Sequence, residues 1–288
     1  MHIFSFGHGY SARALRRRLP DVRWSATART AESRKELEAE GIAAWDFDGA
    51  KALADEALDG VTHVLASVPP DGDGDPVVRC CAEQIRACAG LRWIGYLSTT
   101  GVYGDRQGGW VDERSALRPA GERGARRVQA ELDWLGLSGG IDGPAVQIFR
   151  LAGIYGPRRS QFNALRDGTS RRIVKPGQVF SRIHVDDIAA VLEASIEQPR
   201  DGGVYNVCDD MAAPPQDVVA FAAELLGTDP PPEVPFEEAE MSPMGRSFYG
   251  ESKKVRNDLI KQELGVRLRY PTYREGLPAV LAAEQRSD

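Results

Sequence analysis

The sequence predicts an α/β protein: a Rossmann-type doubly wound parallel sheet with a smaller C-terminal substrate lobe. Two observations carry this expectation. The first half repeats a short apolar run, punctuated by Gly or Asp, followed by a stretch of helical period, and such alternation implies βαβ crossovers. The first run also empties into Gly7-His8-Gly9-Tyr10-Ser11-Ala12, a glycine turn between a strand and a helix, which is the context that lifts G-x-G-x-x-G/A above a chance match.

His2 to Phe6 reads as the first strand and Ser11 to Leu19 as the first helix. Further strands are expected at Val22 to Ala28, Gly41 to Trp45, Val61 to Ser67, Arg92 to Ser98 and Val146 to Leu151. Between them, helices are expected at Arg34 to Glu40, Lys51 to Leu58, Val77 to Ala89 and Ala120 to Leu135. After Gly156-Pro157 the pattern is irregular and rich in Arg, Gly and Pro until Arg182, then returns to strand and helix over Ile183 to Glu197. Val204 to Val207 reads as a last strand, Pro215 to Leu226 as a helix, and Asp229 to Pro235 as a Pro-rich linker. The expected division is a dinucleotide-binding domain over 1–156, completed by about 183–210, and a substrate lobe from 157–182 and 211–288.

Composition narrows the function. Of 288 residues, 42 are acidic and 36 basic, so the net charge of −6 repels a phosphate backbone and argues against nucleic-acid binding. The first residues lack the pattern of a secretory leader, and no apolar run reaches 18 residues, so a soluble, cytoplasmic protein without a membrane partner is expected. Cys80, Cys81, Cys88 and Cys208 lack a zinc-type spacing and read as reduced, packed thiols. Asp71-Gly-Asp-Gly-Asp imitates the opening of a calcium loop, but Pro76 and Ala82 occupy the places of its Gly and bidentate Glu, leaving a solvated loop and no metal site.

The glycine turn points to a dinucleotide. Gly7 permits the tight turn, Gly9 lets the N–H groups that open the helix at Tyr10 and Ser11 approach a pyrophosphate, and Ala12 keeps helix and strand close. The second strand ends Ala26-Thr27-Ala28-Arg29-Thr30, without the acid that takes a ribose 2′-hydroxyl. Arg29 suits a 2′-phosphate instead, supported by the Thr27 or Thr30 hydroxyl, so NADP(H) is preferred and NAD(H) is the alternative. At the end of the third strand Asp46 and Phe47 are placed to meet the adenine amino group and ring, and Ser67, Val68 and Pro69 border the cofactor groove; turn chemistry is the competing reading at both places.

Leu97-Ser98-Thr99-Thr100-Gly101-Val102-Tyr103-Gly104 resembles the Ser-Ser-x-x-Val-Tyr-Gly signature of the extended short-chain dehydrogenases, the NAD-dependent epimerase/dehydratase family. Arg150-Leu151-Ala152-Gly153-Ile154-Tyr155-Gly156-Pro157 is similar to that family's turn into its substrate lobe. Arg182-Ile183-His184-Val185-Asp186-Asp187-Ile188 and Tyr205-Asn206-Val207 resemble two later segments. The resemblance implies a nicotinamide-dependent oxidoreductase or epimerase on a small anionic or nucleotide-sugar-like substrate, with Thr99 at the catalytic Ser/Thr position. Thr99 has a competing reading as a hydroxyl satisfied by backbone. Asp187 is expected to cap a helix over Ile188 to Glu197, and His184 to pack against the lobe.

The resemblance also implies a Tyr-x-x-x-Lys pair, and this sequence departs from it. Registering on Glu131 places Arg127 at the Lys position and Arg123 at the Tyr position, as in an atypical branch that lacks the pair. An arginine does not give up its proton, so proton transfer must be non-standard, and losing one acid/base group costs about 10²- to 10⁴-fold in rate. Arg123 and Arg127 share a helix face; either a phosphate, a carboxylate or a cofactor ribose faces them, or Glu131 pairs with Arg127 on a solvated surface. Tyr103, Tyr155 and His184 are the remaining acid/base candidates. The alternative function is a non-catalytic NADP(H)-binding sensor, and a homodimer is compatible with either.

Overall fold

A computed structural model describes residues 1–140 and 143–286 of the chain. Its centre is a seven-stranded sheet built from β1 (His2–Phe6), β2 (Arg23–Ala28), β3 (Ala43–Asp46), β4 (His63–Ala66) and β5 (Trp93–Thr99) in the first hundred residues. After β6 (Trp110–Val111), which lies outside that sheet, β7 (Ala145–Leu151) joins it. Three short strands separate β7 from the last member: β8 (Gly153–Tyr155), β9 (Arg172–Val174) and β10 (Arg182–His184), followed by β11 (Gly203–Val207). The order is β3-β2-β1-β4-β5-β7-β11, with all neighbours parallel. The chain reverses direction across the sheet between β1 and β4, and the crevice beyond their carboxyl ends is where open α/β sheets bind ligands.

All five residues of β1 are buried, as expected of a central parallel strand covered on both faces. Ile3 belongs to one core layer with Leu15, Trp24, Phe149 and Leu192, whereas Phe4 and Phe6 face the other with Tyr96, Trp134 and Ile148. The covering helices are α1 (Tyr10–Arg18), α2 (Ala31–Ala39), α3 (Pro76–Ala87), α4 (Glu122–Leu135) and, beyond the short α5 (Gln161–Arg166), α6 (Val185–Glu197). A third cluster, Tyr155, Phe162, Val218, Ala222, Tyr273 and Leu277, centres the lobe around α7 (Pro215–Leu226).

Several expectations change. Lys51 to Leu58 forms only a 3₁₀ turn at Asp55–Leu58, and the Pro-rich linker contains a strand, Glu233–Pro235, paired with β9. Asp187 does not cap α6: the helix begins two residues earlier, His184 is its N-cap, and Asp187 accepts the backbone N–H groups of Arg269 (2.7 Å) and Tyr270 (3.1 Å). Asp75 from the Asp-Gly stretch is a buried N-cap of α3, accepting from Val77 and Val78 and from the Trp134 indole. The four cysteines are free thiols. Among the described residues no helix is long and apolar enough to cross a membrane.

Candidate functional site

The glycine turn sits at the β1/β4 crossover. Gly7 has φ +77°, a left-handed conformation that favours glycine, and a Cβ there would stand 3.0 Å from the Ser67 hydroxyl. Its N–H donates to Thr27 Oγ1 (2.9 Å), and its carbonyl accepts from the Ser5 and Ser67 hydroxyls (both 2.8 Å). Gly9 is the N-cap of α1 and supplies no side-chain cap; the first turn holds no acid, and a Cβ on Gly9 would meet nothing within 4 Å. The turn therefore offers open space and N–H groups without a partner among the described residues, which fits a dinucleotide pyrophosphate. Tyr10 opens α1, and Ser11 and Ala12 are buried beneath it.

Sequence reasoning missed His8. Its ring is buried edge-on against Trp24 (5.6 Å), and burial, followed by the nearby Arg13 charge, pushes its pKa down to about 4. A polar residue between two glycines gives no signal that its ring will pack inward against β2.

At the end of β2 the candidates separate. The buried Thr27 hydroxyl braces Gly7 and so does not reach out to a 2′-phosphate, while Thr30 caps α2 by accepting from Ser33 N–H (3.2 Å). Arg29 is exposed and has no side-chain partner among the described residues. Asp46 is exposed with Arg34 at 3.6 Å, but Phe47 is buried with its ring 5.7 Å from that of Phe6. Phe47 thus packs in the core with Phe6, and its ring is not a free cover for adenine. Val68 lines Gly7, and Pro69 is exposed beyond it.

Thr99 ends β5 and caps a 3₁₀ turn at Thr100–Tyr103, accepting from Gly101 N–H (3.1 Å). Arg127 donates to the Leu97 carbonyl (2.8 Å) and the Tyr96 hydroxyl (3.0 Å), its guanidinium carbon 5.6 Å from the Tyr96 ring centre. It is fixed against β5. Arg123, one turn earlier, is exposed without a side-chain partner among the described residues. Glu131 does not pair with Arg127 on a solvated face: it is buried, bound to Arg150 and to the Ser98 hydroxyl (2.6 Å). The other acid/base candidates are enclosed. Tyr103 is buried and its phenol is pushed up to about 12 by desolvation; Tyr155 is raised by the same cause; and burial lowers His184, wedged between the Tyr155 and Tyr270 rings, to about 4. Among the described residues no group of His, Cys, Asp and Glu is arranged to hold a metal ion.

No family model matches the chain. It is 52% identical to a functionally unknown conserved protein from Silicibacter pomeroyi DSS, with a TM-score of 0.90 over 98% of both chains. The chain belongs to the family of that protein. Protein YeeZ of Escherichia coli (strain K12) is 32% identical over 181 residues, which span 62% of this chain and 58% of the curated relative. A dTDP-glucose 4,6-dehydratase from Bacillus anthracis str. Ames, solved in complex with NAD, shares the fold at TM-score 0.78 and 15% identity, covering 100% of this chain and 97% of its own. The α/β fold with its seven-strand parallel sheet thus matches Rossmann-type epimerase/dehydratase structures.

Proposed function

We propose that the protein is an NADP(H)-dependent oxidoreductase or epimerase of the extended short-chain dehydrogenase type, acting on a small anionic or nucleotide-sugar-like substrate without a Tyr-Lys pair. The observation that carries this reading is the glycine turn: an uncapped helix N-terminus with open space at Gly9, facing the sheet's crossover crevice. When bound, the nicotinamide supplies hydride transfer. The chain's own groups bind and orient: the N–H groups that open α1 hold the pyrophosphate, and the exposed Arg29 takes the 2′-phosphate. Arg123 offers a planar five-donor partner to an anionic substrate group. Thr99 presents its hydroxyl to a substrate oxygen, a second use beside its capping bond.

Isothermal titration tests the cofactor assignment. NADPH is expected to bind about 10- to 100-fold more tightly than NADH, the worth of a charge-assisted contact, and Arg29→Ala to erase most of that difference. Equal affinities in the parent protein refute it.

The second reading, a non-catalytic NADP(H)-binding sensor, is favoured by the way Arg127 is fixed against β5 while Tyr103, Tyr155 and His184 are enclosed. No turnover on a broad substrate panel, with cofactor binding intact, selects it.

A further inference from the structure

We propose that Arg159, in the turn that leads from β8 into the lobe, clamps the dinucleotide's pyrophosphate, so that cofactor binding draws on the lobe as well as on the glycine turn. This rests on the dinucleotide reading above. Tyr10 is the first residue of α1, directly after Gly9, and its hydroxyl donates to the Pro157 carbonyl (2.9 Å). The Arg159 guanidinium carbon lies 5.7 Å from the centre of the Tyr10 ring. That ring is the spacer between the guanidinium and the residue that opens the helix.

The backbone beneath Arg159 is over-determined. Gly156 and Arg159 exchange N–H···O bonds of 3.1 and 2.9 Å, and Arg158, at φ +62°, donates its N–H to Glu284 (2.8 Å). Gly156 is packed so closely that a Cβ there would stand 2.4 Å from the Tyr10 hydroxyl. The side chain of Arg159, in contrast, is exposed and lacks an acidic partner among the described residues. Arg158 shares this exposure but lies over no aromatic ring among the described residues, and the arginines of α1 and α5 are paired. Arg13 and Arg16 are held by Glu40, Arg18 by Glu193 and Arg166 by Glu284, and Arg17 has Asp186 at 3.9 Å. A guanidinium lying over the ring of the residue that opens the helix, with no acidic partner among the described residues, is suited to a phosphate: it bonds bidentately, and the cation–π contact lowers the ordering cost of doing so.

The pyrophosphate is common to both cofactors, so Arg159→Gln is expected to weaken NADPH and NADH alike, by about 10- to 100-fold, with Arg159→Lys recovering part of the loss. Calorimetric titration of each dinucleotide, with circular dichroism on the same samples, reads this directly. Gly9→Val separates the clamp from the reading beneath it. If the parent binds neither dinucleotide, or Gly9→Val leaves binding unchanged, the dinucleotide site itself is wrong and the clamp falls with it. If Gly9→Val abolishes binding while Arg159→Gln leaves both affinities unchanged, the clamp alone is overturned. Loss confined to NADPH also overturns it, since Arg159 would then be reading the 2′-phosphate.

Discussion

Glu131 and Arg150 form an ion pair closed off from solvent, their side chains 4% and 6% exposed, with Nη2 2.7 Å and Nε 3.2 Å from the same carboxylate oxygen, Oε2. The pair reaches outward at both ends. Ser98 donates to Glu131, Arg150 Nη1 donates to the Tyr103 hydroxyl (2.9 Å), and Tyr103 donates to Asn206 Oδ1 (2.7 Å). One network therefore ties α4, β5, β7 and β11 together at the carboxyl edge of the sheet, next to Thr99.

Removing one partner leaves the other charge buried and unpaired. Arg150→Met and Glu131→Leu are each expected to lower unfolding free energy by about 3–5 kcal/mol, whereas the two together recover much of that loss, because two well-packed apolar side chains leave no stranded charge. Urea denaturation of the four proteins decides it. Additive losses in the double variant would mean that the two residues act independently.

How much of this was legible in the sequence depends on the range of the interaction. The strands and glycine turn were readable because their signals are local: β1 is an apolar run, and Gly7 and Gly9 sit where a strand meets a helix. Glu131 and Arg150 were both singled out, yet their pairing is set by the packing of α4 on β7, which no local pattern encodes. The helix spacing of four residues suggested a Glu131–Arg127 partnership that tertiary burial overrode. The inward packing of Phe47 and the bond of Thr27 to Gly7 were illegible for the same reason: residue type and strand-end position do not say whether a side chain turns inward.

The histidines make a pH prediction. All four are buried, and burial is the leading cause that lowers each ring's pKa, with His8, His63 and His184 brought to about 4 against an ordinary value of 6.5. A base depressed in the fold contributes stability that is present above its unfolded pKa and is lost as pH falls from about 6.5 through 4. Asp209 has the opposite sign: burial pushes it up to about 8, so its contribution is present below the ordinary 3.8 and is lost as pH rises through 8. Unfolding temperature is therefore expected to fall on the acid side of pH 6.5. Asp209→Asn should be stabilising relative to the parent by about 1 kcal/mol or more at pH 9, and this advantage should vanish near pH 4. Thermal scans across that range check both limbs, and an Asn variant whose advantage did not change with pH would show that Asp209 is ionised throughout.

The last prediction concerns chemistry and turns on the unequal surroundings of the two arginines. Position 123 is exposed in the first turn of α4, so a tyrosine there stands free of the core, while position 127 faces the Leu97 carbonyl and the Tyr96 hydroxyl. A lysine at 127 keeps the charge but not the fork, and losing one of the two hydrogen bonds costs about 0.5–1.5 kcal/mol, too little to unfold a domain of this size. Arg123→Tyr with Arg127→Lys therefore restores a titratable phenol one helical turn from a cation on an intact sheet. Assayed for NADPH consumption with uncharged small carbonyl compounds, which need no contact from Arg123, the double variant is expected to gain turnover, because the phenol supplies the acid/base group that neither arginine can. Loss of dinucleotide binding with an unchanged circular dichroism spectrum would show instead that the arginines hold an anion. Any turnover in the parent should disappear in Thr99→Val. If it persisted, the Thr99 hydroxyl would have no part in the reaction, and its bond to Gly101 would be its whole role.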